Sequence, residues 1–141
     1  MKKLFVVIIV FLILIGNIGY QKKFTLLDYF SGDYYAYSND PISDNYVYLG
    51  NCYMNYGKIN STEEIIGESM TIYNFEPVAA IEKLNAKIVF SEYLDNGASV
   101  IYAFSDNISR SVMVNNKRVN IQIAYYDDYS IIGWPLILGS F

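Results

Sequence analysis

The chain has no histidine, and that absence removes the commonest general base and the commonest protein metal ligand together. Cysteine occurs once, at Cys52, so neither a disulfide framework nor a thiolate zinc site is available within the chain. Without a histidine to activate it, Cys52 does not serve a cysteine protease or transpeptidase of the usual mechanism and reads as a small apolar filler of a strand, with an intermolecular disulfide as the alternative. Bases are scarce as well: ten Lys and Arg stand against fourteen Asp and Glu, a formal charge of −4. Holding nucleic acid by phosphate neutralisation needs a basic face, so no nucleic-acid partner is expected. Charged residues make up 17% and hydrophobic ones 53%, which puts the 141-residue chain outside the disordered class with room for one domain.

Motifs that carry chemistry are equally thin. Gly50 and Gly57-Lys58 resemble a phosphate-binding loop only superficially, since six residues intervene instead of four and Ile59 stands where a hydroxyl must meet magnesium. The adjacent acids Glu63-Glu64 and Asp127-Asp128 point apart on a helix start or in a turn, whereas glycoside hydrolysis needs two carboxyls facing across a cleft. No catalytic residue, cofactor or metal ligand is assigned on these grounds.

What is present begins with a leader. Lys2 and Lys3 precede an unbroken apolar run of twelve residues, Leu4 to Ile15, and a polar flank reaches Tyr20. That is the order of an export signal. A twelve-residue helix spans about 18 Å against a hydrocarbon core of about 30 Å, so residues 1–20 are expected to be a signal peptide, with a retained N-terminal membrane anchor as the alternative. Either way the lysines stay inside and the remainder is exported, secreted or anchored to the outer face of the cytoplasmic membrane. Without the leader, eight bases face fourteen acids, a charge of −6. Nine of those acids lie between Asp28 and Glu82 with only Lys58 among them.

Residues 21–45 read as a flexible, tyrosine-rich arm, dense in turn formers such as Ser31-Gly32-Asp33 and Ser38-Asn39-Asp40-Pro41. Residues 46–141 read as a single α+β domain. Tyr46–Tyr56 suits a strand bulged at Gly50-Asn51, and the capping-box pattern Ser61-Thr62-Glu63-Glu64 predicts a helix carrying Ile65, Ile66, Met70 and Tyr73. Pro77 opens a second short helical piece with Val78, Ile81 and Leu84 inward. Five strands follow, with hairpins at Asn96-Gly97, Asn115-Asn116-Lys117 and Asp127-Asp128. Alternation of Val119, Ile121, Ile123 and Tyr125 against Asn120, Gln122 and Ala124 gives one apolar sheet face for the helices to cover. Pro135 makes the last strand an edge there or bends it. The expected fold is a helix packed on a curved antiparallel sheet, in the order β-α-β-β-β-β-β.

Four segments carry a family resemblance: Leu84-Asn85-Ala86-Lys87, Ser99 to Ser105, Asn116 to Ala124, and Ile132-Gly133-Trp134-Pro135-Leu136-Ile137. They resemble the closing half of the YwmB family, exported proteins of spore-forming Gram-positive bacteria. Trp134 departs from the threonine usual there, and this chain has room for one of the two halves such proteins carry. The resemblance implies one half of a fold like that of the TATA-box-binding protein, and such a likeness carries no function by itself.

Fifteen tyrosines are the compositional outlier, nine of them between Tyr29 and Tyr73. A large rigid apolar body with a polar tip suits a recognition surface, and an AT-rich coding sequence inflates tyrosine too. The expected function is that of a non-enzymatic binding domain at the cell envelope, with an envelope protein or polymer as partner and the membrane as a further one if the leader is uncleaved. Its surface is placed at Asn120, Gln122 and Trp134 on the sheet and at Tyr34, Tyr35 and Tyr37 on the arm. A carboxylate-dependent hydrolase of envelope polymers and a structural accessory of a membrane assembly are the alternatives.

Overall fold

The computed structural model describes residues 23–138, so the expected leader lies outside the described residues. Within them the chain forms a 3₁₀ turn (Leu26–Asp28), β1 (Asp33–Ser38), β2 (Asn45–Tyr48), β3 (Tyr53–Tyr56), β4 (Ile65–Tyr73) and the helix α1 (Pro77–Lys83). After the helix come β5 (Ala86–Tyr93), β6 (Ser99–Ser105), β7 (Val112–Val114), β8 (Lys117–Val119), β9 (Ile121–Tyr125) and β10 (Tyr129–Trp134). Eight strands join in one antiparallel sheet ordered β2-β3-β1-β4-β10-β9-β6-β5, and β7 and β8 form a separate ribbon. The class is α+β: a mostly antiparallel sheet with one short helix. The order differs from the expected one, because four strands precede the helix.

Two local readings account for that difference. The stretch Tyr46–Tyr56 is a hairpin of β2 and β3, closed where Leu49 N–H donates to Cys52 O at 2.9 Å and Gly50 takes φ 97°. The predicted helix after Ser61 is instead β4, whose partners are β1 and β10. A strand flanked on both sides and covered on both faces buries consecutive residues, and in β4 Gly67 to Met70 are all buried. Its apolar residues therefore mimic a helical spacing. Gly67 is required at one crossing, since a Cβ there would lie 2.6 Å from Trp134 O on the neighbouring strand.

Residues 21–45 are not an arm in their described part. β1 lies between β3 and β4, with Ala36 opposite Asn55 on one side and Glu68 on the other. Leu26, Ala36, Tyr37 and Ile42 are buried. Tyr34 and Ala36 pack on one face of the sheet while Tyr35 and Tyr37 line a groove that Ser69 and Ile137 also border. Tyrosine on both faces hides the two-residue period by which strands are recognised.

The second half of the chain follows its turn residues closely. Pro77 opens α1 as expected; Ile81 and Leu84 are buried with Ala80, but Val78 points outward. The hairpin between β5 and β6 uses a three-residue loop, Asp95-Asn96-Gly97, in which only Gly97 has positive φ (88°). Both Asn115 (φ 50°) and Asn116 (φ 61°) are left-handed, which suits the two-residue turn joining β7 to β8. The alternation expected from Val119 to Tyr125 breaks at Asn120, between β8 and β9, so Val119 packs on the face opposite Ile121 and Ile123. β10 is central and ends at Trp134, just before the proline that cannot donate to a ladder.

Two cores result. On one face Met70, Ile121, Ile123 and Ile132 meet Ile81 of α1, Leu84 at its C-cap and Leu26 of the 3₁₀ turn. On the other, Val100, Tyr102 and Val119 pack with the β7–β8 ribbon and with Ile137 beyond β10. Each such aliphatic side chain, fully buried, contributes about 1.5–3 kcal/mol.

Candidate functional site

The side chains expected to form a binding surface are largely internal. Asn120 is 0% exposed: its Oδ1 accepts from Ser105 N–H at 2.8 Å and its Nδ2 donates to Ser105 O at 2.8 Å and Ile108 O at 3.0 Å. It clamps the loop after β6. Gln122 is buried as well, accepting from Ile137 N–H at 2.9 Å and donating to the Tyr102 hydroxyl at 3.3 Å. That hydroxyl donates to Glu92 at 2.6 Å, and burial, together with the bond to Glu92 and its charge, pushes the Tyr102 pKa up to about 12. Asn120 and Gln122 are braces, not contacts for a partner. Tyr37 is buried too, its hydroxyl 2.7 Å from Ser69 Oγ.

Trp134 and Tyr34 do come together, around a residue that the sequence did not single out. Glu68 lies on β4 directly opposite Trp134 of β10 and Ala36 of β1, and is 1% exposed. Its Oε2 accepts from Leu26 N–H at 2.7 Å and from Thr25 Oγ at 3.1 Å, so the carboxyl holds the start of the 3₁₀ turn. Burial raises the Glu68 pKa, and the donors from Leu26, Thr25, Trp134 and Tyr34 act in the opposite direction. The indole Nε1 of Trp134 favours the ionised carboxyl electrostatically but has no hydrogen-bond partner of its own. Tyr34 is held protonated by burial first and by the charge of Glu68 second. An acidic residue in the middle of an apolar strand was the available signal, hidden because the segment read as an amphipathic helix.

Above this cluster lies a cavity of about 300 Å³. Phe24, Leu27, Ile59 and Ile65 form its apolar walls, and Thr25, Tyr34 and Glu68 supply polar groups. Lys23 stands at the rim and donates to the carbonyls of Thr62, Glu63 and Ile65 at 2.9, 3.1 and 3.2 Å. Phe24 packs edge-on to Trp134 with ring centroids 5.9 Å apart. Tyr35 borders a second groove, of about 260 Å³, on the opposite face.

Three exposed tyrosines, Tyr46, Tyr48 and Tyr56, sit elsewhere, on the hairpin that forms one sheet edge, and two more, Tyr73 and Tyr93, end β4 and β5. All four residues of β2 are exposed, Tyr46 and Tyr48 among them, and both rings contact Tyr53 at 5.6 and 5.0 Å. Cys52, in the turn, is buried, and burial pushes its thiol pKa up. Among the described residues no three of His, Cys, Asp and Glu gather where a metal ion would sit, and no helix is long and apolar enough to cross a membrane. In comparisons with known proteins the chain matches no family model, no curated protein and no solved structure.

Proposed function

We propose that the chain is an exported, non-enzymatic binding module of the cell envelope, and that it takes a strand of a partner protein along β2. The observation that carries this reading is the character of that edge. β2 is the outermost strand, all four of its residues are exposed, and none is charged. Leu49 N–H bonds to Cys52 O, and the alternation of an antiparallel ladder then turns the N–H and C=O groups of Tyr46 and Tyr48 outward. A row of free backbone groups flanked by aromatic rings is a template for strand addition. The opposite edge, β5, carries Lys87 and Glu92, the charges that discourage such pairing.

Export rests on the order of lysines and apolar residues before Gly16. Kinship with the YwmB proteins, and with it a TATA-box-binding-protein-like half, belongs to the same proposal; the antiparallel strands after α1 and the packing of α1 on one face support it. Hydrolysis of envelope polymers has no comparable support, since among the described residues Glu68 is the one carboxyl lining the cavity of about 300 Å³ and a glycosidase needs two.

The test has two arms. A reporter fused after Phe141 is expected to be active only outside the cytoplasm; cytoplasmic activity sinks the export claim. Tyr46→Pro deletes an outward N–H without touching the β2–β3 ladder, so it is expected to abolish partner capture from the envelope fraction while leaving the melt unchanged. Equal capture by the chain and the variant defeats strand addition.

A further inference from the structure

The geometry points to the cavity beneath the 3₁₀ turn as a binding site for an organic ammonium group on a short apolar body, with Glu68 as its counter-ion. This inference does not depend on the β2 edge or on where the protein resides.

Three observations converge on that ligand. The cavity, at about 300 Å³, lies at the small end of the range that ligand pockets occupy, and its walls are the apolar side chains of Phe24, Leu27, Ile59 and Ile65. Its polar groups include a carboxyl that is 1% exposed and whose donors, Leu26 N–H, Thr25 Oγ1, Tyr34 and Trp134, are all neutral. A buried charge with neutral partners is expensive relative to one with a counter-ion. Lys23, the one cation lining the cavity among the described residues, does not fill that role. Its ammonium carries three N–H groups, and three backbone carbonyls take them.

The charge selects the ligand. An anion would meet Glu68 with no free cation among the described residues lining the cavity to offset it, and a neutral apolar molecule would leave the carboxyl as it is. An alkylammonium supplies the missing charge at the polar end and apolar atoms for the walls. The volume is enough for a small ammonium with a short apolar chain.

The decisive measurement titrates the full chain with n-butylammonium, n-butanol and butyrate, following the carboxyl carbon of Glu68 by NMR. The ammonium is expected to bind at least about tenfold more tightly than the alcohol, to shift the Glu68 resonance, and butyrate not to bind. Glu68→Gln is expected to level the ammonium and the alcohol. Leu27→Trp, at an exposed rim position, is expected to weaken the ammonium by about tenfold with an unchanged melt. Equal affinity of ammonium and alcohol for the unmodified chain overturns the proposal. So does a preference that survives Glu68→Gln, or, should that variant fail to fold, undiminished binding by Leu27→Trp.

Discussion

The strands β1 to β4 build one half of the sheet and β5, β6, β9 and β10 the other, and the two halves cover their surfaces in different ways. In the later half α1 packs on one face and the β7–β8 ribbon with Leu136 and Ile137 on the other, while Ile88 and Tyr93 of the edge strand β5 stay exposed. Its buried polar residues, Asn120 and Gln122, hold loops in place. In the earlier half one face packs on the 3₁₀ turn, while the other carries a groove bordered by Tyr35 and Thr71 with the buried Tyr37 and Ser69 at its base. Tyrosine allows this, because the ring packs while the hydroxyl stays wet or finds a partner. The half rich in acid and tyrosine is thus also the half with cavities and an open edge, which is where recognition belongs.

The largest effects test whether the halves depend on each other. Truncation after Asp128 removes β10 and strips β4 and β9 each of one of its two neighbours, splitting the sheet, so circular dichroism is expected to show no cooperative melt. Deleting residues 33–38 is expected to do the same, since β1 separates β3 from β4. A cooperative melt in either deletion means the halves fold independently.

Next come the two asparagine braces, one in each half. Asn120→Ala orphans three backbone groups at a cost of about 3 kcal/mol in urea denaturation. Asn55 accepts from Ile42 N–H at 2.9 Å and donates to Ala36 O at 3.0 Å and Ser38 Oγ at 2.7 Å, and Asn55→Ala is expected to cost less, about 2 kcal/mol. The reverse order would mean that the earlier half is the tighter one.

A smaller effect concerns acid. Because the folded pKa of Glu68 is raised, the folded chain binds that proton more tightly than the unfolded one. Its contribution to stability therefore falls as pH rises from the ordinary carboxylate value through the raised one. Relative to Glu68→Gln, the unmodified chain is expected to gain stability between about pH 7 and pH 4, opposite to a salt-bridged acid. A constant difference across that range would place no titration at Glu68. The smallest effect is at the edge: Tyr48→Lys is expected to change stability by less than about 0.5 kcal/mol.

The same division governs how much of the molecule was legible. Where a turn demands a particular backbone, the residues announce it, as Asn115-Asn116 and Pro77 do. Where a strand is buried on both faces the periodic signal vanishes, and β4 passes for a helix. β1 was hidden by tyrosines that suit either face. Of the site residues, Tyr34 and Trp134 were found without their reason for meeting, which is Glu68. A lone carboxylate on a misassigned segment has no visible neighbours, because its partners at Leu26 and Trp134 are distant in the chain.

The seam between the halves sets an order of events. β4 pairs with β10, Tyr73 opposite Tyr129, so one flank of an early strand is completed only by the last strand of the sheet. Contacts between such remote segments form slowly, because the loop between them must close first. During synthesis, β4 emerges and then waits while α1 and β5 to β9 are made, and until residues 129–134 arrive two ladders stand open to any strand nearby. β10 is in this sense a lock turned last, and a nascent chain stalled before it is an adhesive one.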